Sequence, residues 1–173
     1  MGKVVIERDG GMSLEAKSLE EGLRERVDPG FCLVDNRQLP VPFSQPRVPT
    51  SDARIALISS GGFHRREDPP FDTEDPLGDP SYRVIPRGST REDLGIAHTH
   101  YDHSYVDADL NCALPLEHIE TLVERGAIGE SAPRHLSFMG YCLRTAELAE
   151  ENAREAGELL AADAVDAAIL APT

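Results

Sequence analysis

The sequence predicts an α/β fold: a layered sheet of mainly parallel strands, of the Rossmann or flavodoxin type, with flanking helices. Two continuous apolar runs, at residues 54–58 and 165–171, carry this prediction. Strands that are buried on both faces of a parallel sheet lack polar alternation, as these runs do. A long helical pattern at 145–162 directly precedes the second run. Strand, helix and strand in this order are typical of an α/β layer.

The part of the chain before the first run is different in composition. Residues 4–6 predict a short strand, and residues 13–27 predict a helix with many charged residues. A proline-rich stretch from 29 to 49 follows and predicts an extended arm. We therefore expect two regions: an N-terminal helix and arm over 1–53, and the α/β domain over 54–173.

The middle of the chain predicts a long irregular loop. Residues 63–93 are rich in Pro, Asp, Glu, Gly and Arg, and residues 82–86 are their one strand-like piece. A loop of this length inside a compact domain is usually functional or disordered, and Phe63, Phe71 and Tyr82 favour a functional loop because they can pack. After it come a short apolar segment at 94–97 and a predicted helix at 116–125, which Gly126 ends.

Composition excludes several classes of function. The 173 residues carry a formal net charge of -14, which disfavours nucleic acid or an anionic membrane as a partner. We find neither a transmembrane run nor a signal peptide. Cys32, Cys112 and Cys142 are widely spaced, as reduced thiols of a cytoplasmic protein are.

The densest chemical signal is the run His98, His100, Asp102 and His103. Its H-x-H-x-D-H spacing matches the metal ligands of metallo-β-lactamase-like hydrolases, in which neutral imidazoles and a carboxylate hold zinc or iron. The chain lacks the repeated β-rich halves of such a domain. A metal-dependent hydrolase is therefore one alternative, and a polar loop ordered by hydrogen bonds without any metal is another.

A larger set of motifs extends from about residue 54 to the last residue. These are GGFH (61–64), DPPF (68–71), GDPSYRVIP (78–86), HTHYDH (98–103), DADLN (107–111), GAIG (126–129) and SFMG (137–140). In order and spacing they resemble the selenoprotein B family, the B components of glycine, sarcosine, betaine and D-proline reductases. The resemblance also accounts for the long loop between 63 and 93.

This resemblance implies a selenol- or thiol-dependent reductase component that cleaves a C–N or other C–heteroatom bond of an amino acid or related small molecule. It implies a separate pyruvoyl-containing subunit, a thioredoxin-like dithiol reductant and a homo- or hetero-oligomer. No cofactor is expected within this chain. A third alternative is a non-catalytic subunit that needs a partner chain.

The resemblance also implies where the redox residue lies. In the family, a cysteine or selenocysteine motif follows a strand of the kind predicted at 165–171. We therefore expect that residue beyond Thr173, with an in-frame UGA codon directly after the Thr173 codon and a sheet that is incomplete in this chain. A different stop codon with no continuation would contradict this expectation.

The resemblance assigns roles to individual side chains. The predicted catalytic residues are His98, His100, Asp102, His103 and Cys112, which line the cleft beside the expected nucleophile. The predicted substrate-binding residues are His64, Arg83, Asp107, Asp109 and Asn111. We predict no metal; if one binds, its ligands are His98, His100, Asp102 and His103.

Overall fold

The computed structural model describes residues 14–26, 29 and 44–173. The chain divides into two units, with the boundary between Ser44 and Gln45. The first contains helix α1 (Leu14–Arg26), which confirms the helix predicted at 13–27, and an ion pair joins its Arg24 to Glu20. The strand predicted at 4–6, Cys32 and most of the proline-rich arm lie outside the described residues.

The second unit holds all of the described strands. Its strands are β1 (Arg54–Ser59), β2 (Phe63–Arg65), β3 (Tyr82–Pro86), β4 (Leu94–Ile96), β5 (Glu130–Ser131), β6 (Arg134–Phe138) and β7 (Ala167–Ala171). Its helices are α2 (Ser104–Ala108), α3 (Leu116–Glu124), α4 (Thr145–Glu147) and α5 (Ala153–Ala162), with a π turn (Leu148–Asn152) joining the last two. No described helix has both the length and the apolar character that a membrane span requires.

The main sheet is built around β1. Strand β7 runs parallel to it, in register from Ile55 with Ala167 to Ser59 with Ala171. Strands β5 and β6 are also parallel to β1, and β3 pairs with β6. The predicted α/β class and its parallel strands are therefore confirmed. Strand β3 differs, because it runs antiparallel to β6 and makes the sheet mixed.

The core lies around β1, as its apolar run predicts. Ala56 and Leu57 have no exposed surface, and the alternation of a half-buried strand is absent. The core is completed by Phe63, Ile85, Leu94, Val106, Leu114, Leu116 and Ile119. Helix α3 places Leu116 and Ile119 on its buried face and ends before Gly126, which has a positive φ of 67°.

Strand β6 was not predicted from the sequence because polar residues interrupt its apolar pattern. His135 and Ser137 are fully buried within it. The backbone N–H of Leu57 donates to His135 Nδ1 at 3.1 Å, and that of Phe63 donates to Ser137 Oγ at 2.8 Å. The polar side chains thus accept hydrogen bonds from neighbouring backbone, and their burial is offset by these partners.

The segment predicted as one irregular loop contains regular structure at its start. Strand β2 pairs antiparallel with β4, which places His64 opposite Gly95. The prediction of a single strand-like piece in 63–93 was therefore wrong, although β3 occupies residues 82–86 as predicted. The sequence F-H-R is too short and too polar for its pairing to be visible without its partner strand.

The predicted helix at 145–162 is present as α4, the π turn and α5. The backbone N–H of Ala153 donates to the carbonyl of Leu148, five residues earlier, which is the π-type bond. Such turns inside α-helices are frequent near functional sites. This one faces the end of the sheet described next.

Candidate functional site

The parallel strands β1, β6 and β7 end at the same edge of the sheet, where a cavity of about 340 Å³ opens. Its walls are Ile58, Ser59, Ser60, Asp79, Phe138, Met139, Gly140, Cys142, Leu148, Ala153, Leu170, Ala171 and Pro172. We call this cavity, together with the adjoining His98, the sheet-end cleft. Ligands of open α/β sheets bind at the carboxyl ends of the strands, which is where this cleft lies.

His98 is the buried imidazole of the cleft, with 8% of its surface exposed. Its Nδ1 accepts a hydrogen bond from the backbone N–H of His100 at 3.0 Å, so the neutral ring carries its proton on Nε2. Burial lowers the pKa of His98, and the neighbouring His100 and His103 lower it further. The ring therefore stays neutral at neutral pH and presents Nε2–H as a donor.

Gly140 allows the His98 imidazole to lie close to the cavity wall. Its φ of +88° is a conformation that favours glycine. A methyl group on Gly140 would lie 2.5 Å from the carbonyl oxygen of Ser60 and 3.0 Å from His98 Nε2. The absence of a side chain here brings the imidazole, Ser60 and the loop after β6 together.

Ser60 forms hydrogen bonds with Thr173 near Gly140 and His98. The backbone N–H of Thr173 donates to Ser60 Oγ at 2.9 Å, and the two side-chain hydroxyls are 3.1 Å apart. The backbone N–H of Ser60 donates to the carbonyl of Ala171 at 3.2 Å. Ser60 and Thr173 therefore lie at the same rim of the cleft.

Tyr101 and His100 anchor the histidine loop. The Tyr101 hydroxyl donates to the carbonyl of Gly61 at 2.9 Å, and the ring lies between His98 and His103 at centroid distances of 4.7 and 4.6 Å. Burial raises the pKa of Tyr101 to about 12, so it remains a hydrogen-bond donor. The exposed His100 stacks on Tyr141 at 4.2 Å.

Asp102 and His103 differ in their local contacts. Asp102 accepts a hydrogen bond from the backbone N–H of Ser104 at 2.9 Å, which lowers the pKa of its carboxyl. His103 Nε2 is buried without a hydrogen-bond partner. Within residues 14–26 and 44–173, no three His, Cys, Asp or Glu side chains are arranged to hold a metal ion.

Cys142 and Asp79 line the cavity, and sequence reasoning missed both. The sequence gives no signal for Cys142, because β6 and the loop after it were not predicted. Asp79 belongs to the long loop, which docks here: the backbone N–H of Leu143 donates to the carbonyl of Leu77 at 2.7 Å, and Arg144 pairs with Asp75. The long loop thus forms one wall of the cleft.

Arg83 and His64, predicted to bind substrate, make structural contacts. The Arg83 guanidinium donates to the carbonyls of Pro69 and Pro70 at 2.8 and 3.0 Å, and lies over the ring of Phe71 at 4.3 Å. His64 Nδ1 donates to the carbonyl of Arg65 at 2.8 Å. These contacts order the long loop and β2, and a role in substrate binding stays a prediction for both.

The predicted residues Asp107, Asp109 and Asn111 lie in a second concavity, which we call the acidic groove. Asp107 accepts from Arg91 at 2.6 Å, and Asp109 accepts from the backbone N–H of Asn111 at 2.9 Å. Glu117, Glu120 and Glu124 line the same groove. Cys112 is exposed and lines neither concavity. None of these residues lines the sheet-end cleft, although Asp107 and Cys112 lie close enough to Tyr101, the ring neighbour of His98, to contribute to its raised pKa.

Comparison with known proteins agrees with the motifs. A sequence model of glycine/sarcosine/betaine reductase selenoprotein B matches residues 37–173. The D-proline reductase subunit gamma of Acetoanaerobium sticklandii is 33% identical over 136 residues, which cover 75% of this chain and 55% of that protein. The chain thus spans about half the length of this curated relative. No solved structure matches significantly. The chain belongs to the selenoprotein B family of glycine/sarcosine/betaine reductases.

Proposed function

We propose that this chain is a component of a reductase that cleaves a C–N bond of an amino acid or a related amine, and that the reaction takes place at the sheet-end cleft. The observation that carries the proposal is the Nε2–H of neutral His98, held beside Ser60 and Gly140 at the carboxyl ends of the parallel strands. The family of the chain supports the class of reaction.

The nucleophile in this proposal is a selenolate or thiolate in a segment that follows Thr173 in a longer chain. The hydrogen bonds between Thr173 and Ser60 support it, because a following segment would start at the rim of the cleft. A neutral imidazole with Nε2–H suits one task in particular: a hydrogen bond to a selenolate or thiolate stabilises the anion. In this proposal the exposed His100, whose ring centroid lies 5.9 Å from that of His98, protonates the departing amine.

The reaction balances with a dithiol as reductant. The selenolate or thiolate attacks the carbon, the C–N bond breaks, and the amine leaves with a proton. A thiolate of the dithiol then attacks the bound selenium or sulfur atom, and the carbon takes a proton as it departs. The second thiol releases the enzyme, so that one dithiol is oxidised for each C–N bond cleaved. In this proposal a partner subunit with a pyruvoyl group activates the substrate amine.

An apolar strand edge supports a partner chain. In β7, Ile169 and Leu170 are 43% and 71% exposed, although the run A-A-I-L-A is typical of a strand buried on both faces. The relative from Acetoanaerobium sticklandii is itself named a subunit. We expect the full-length protein to associate with at least one other chain, which light scattering on the purified complex measures directly.

The test is an assay of the full-length protein with its partner subunits and dithiothreitol. Glycine, sarcosine, betaine and D-proline are supplied one at a time, and thiol oxidation and the product of C–N cleavage are measured together. We expect one of them to give product with equimolar thiol oxidation. Metal-dependent hydrolysis without thiol oxidation, or no thiol-dependent cleavage of any of the four, would contradict the proposal.

A further inference from the structure

The walls of the cavity are mainly apolar and include one carboxylate but no cationic side chain. Eight of the side chains named above as its walls are hydrocarbon or thioether: Ile58, Phe138, Met139, Leu148, Ala153, Leu170, Ala171 and Pro172. No Lys, Arg or His lies among the walls. A substrate carboxylate placed inside would therefore be buried without a cation, which is costly.

The single carboxylate in the walls is already satisfied. Asp79 accepts hydrogen bonds from the backbone N–H of Asp72 at 3.0 Å and from that of Ser81 at 2.9 Å, and also from the Ser81 hydroxyl. The guanidinium of Arg83 lies 3.6 Å away. Asp79 is thus held in place by the long loop and does not leave a free site for an ammonium group.

The π turn determines the wall opposite the sheet. In a regular α-helix, residues five apart lie about 140° apart around the axis. The π-type bond between Ala153 and Leu148 instead brings both residues to the same wall of the cavity. Ala149 and Glu150, within the same turn, are exposed and do not line it.

We propose that the cavity receives the uncharged hydrocarbon portion of an amine substrate larger than glycine, and that Leu148 and Ala153 set the size that is accepted. This inference rests on the proposed function, because it names the part of the substrate that enters the same cleft. The occupant is the substrate's hydrocarbon group because the cavity is continuous with Gly140, against which the His98 imidazole lies. The substrate carboxylate then remains outside the cavity.

Cys142 is a reporter for this test because it lines the cavity, and the exposed Cys112 is an internal reference outside it. The full-length protein is labelled with iodoacetamide or iodoacetate, and peptide mass spectrometry gives the rate at each cysteine. We expect the preference for the neutral reagent to be on the order of tenfold greater at Cys142 than at Cys112. Equal preferences at the two cysteines would overturn the inference.

Size selection is tested with N-methylmaleimide and N-cyclohexylmaleimide. In Ala153→Leu, we expect labelling of Cys142 by the cyclohexyl reagent to slow by about tenfold, an effect that one lost apolar pocket contact supports. The smaller reagent should be less affected and Cys112 unaffected. Ala149→Leu is the matched control and should leave all rates unchanged. Leu148→Ala shortens a side chain in the wall and should raise the rate at which N-cyclohexylmaleimide labels Cys142. This second variant keeps the test valid if Ala153→Leu folds poorly.

The remaining outcomes separate the two proposals. If Cys142 resists all four reagents in the assembled complex but not in the isolated chain, a side chain of the partner fills the cavity and the inference is overturned. If the labelling preferences are as expected but no C–N bond is cleaved, the proposed function fails, whereas the selection of uncharged groups stands. Unchanged cyclohexyl rates in both Ala153→Leu and Leu148→Ala would overturn the size selection.

Discussion

The sheet-end cleft and the acidic groove both include polar residues from the segment 98–111, yet these residues differ in whether their hydrogen-bonding groups are already occupied. In the cleft, His98 presents an Nε2–H to an apolar cavity whose walls include no Lys, Arg or His side chain. In the groove, Asp107 and Asp109 already accept hydrogen bonds from Arg91 and Asn111. Polar residues close in sequence are therefore divided between a site with an available donor, at His98, and a surface on which Asp107 and Asp109 are already paired.

A high local density of polar residues therefore does not by itself identify a functional site in this chain. The acidic groove has more charged residues than the cleft. Its carboxylates order the turn before α3, where Asn111 Oδ1 accepts a hydrogen bond from the backbone N–H of Glu117 at 3.0 Å. Reactivity requires groups left available by the fold, and the cleft supplies these.

The largest effect is expected from adding one methyl group at Gly140, in the cleft. Gly140→Ala places a Cβ 2.5 Å from the carbonyl oxygen of Ser60, in the cleft, at a φ of +88°. We expect the reductase activity of the assembled enzyme to fall on the order of 10²-fold, because misplacement by about 1 Å has this effect on a positioned site. Steady-state kinetics measure the loss.

Gly88→Ala is the matched control for that variant. Gly88 lies in the acidic groove with a φ of +80°, and a Cβ there would have no neighbour within 4 Å. Its cost is backbone strain alone, about 1 kcal/mol of unfolding free energy, with activity retained. Equal loss of activity in the two variants would remove the distinction between the regions.

Acid should destabilise the fold through His135, which is fully buried in β6. Burial lowers the pKa of His135 to about 4, although Glu120 of the groove acts in the opposite direction. Because the unfolded chain binds this proton near pH 6.5 and the folded chain does not, stability is lost as the pH falls from 6.5 to about 4. The loss from this group is about 3 kcal/mol.

The measurement is urea denaturation of the parent and of His135→Asn between pH 7 and pH 4. The variant should be less stable at pH 7, because the N–H of Leu57 loses its imidazole acceptor, and it should lose less stability in acid than the parent. His118→Asn, which changes an exposed histidine on α3, is the control and should follow the parent. A parallel pH dependence in the parent and His135→Asn would show that the buried imidazole is not the cause.

The smallest effect is expected at the exposed ion pair of the groove. Arg91→Met removes the contact of 2.6 Å with Asp107. An exposed pair contributes about 1 kcal/mol or less, so thermal unfolding should shift only slightly and activity should be unchanged. Loss of activity in Arg91→Met with the fold intact would mean that the groove belongs to the functional site.

Much of the fold could be predicted because its signals are local. The apolar runs of β1 and β7, the periodicity of α3 and the stop at Gly126 each lie within a few consecutive residues. Strand β6 could not be predicted, since His135 and Ser137 are buried only because Leu57 and Phe63 donate to them. That burial depends on strand pairing and not on composition.

The site was predictable to a smaller extent. The family resemblance and His98 were visible in the sequence. In contrast, Ser60, Cys142 and Asp79 come together only where the parallel strands end and the long loop docks. Nothing in the spacing of Asp107 and Asp109 indicates that their acceptors are occupied, because the groups that occupy them come from the surrounding fold.

The most direct test of the sheet-end cleft is dithiol-dependent turnover by the assembled full-length enzyme with His98→Asn and Asp107→Asn side by side. Asparagine at 98 retains an acceptor for the N–H of His100 but removes the Nε2–H, so turnover should fall on the order of 10²-fold at unchanged thermal stability. Asp107→Asn should retain parental turnover. Full activity in His98→Asn, or an equal loss in Asp107→Asn, would contradict the assignment of the reaction to the cleft.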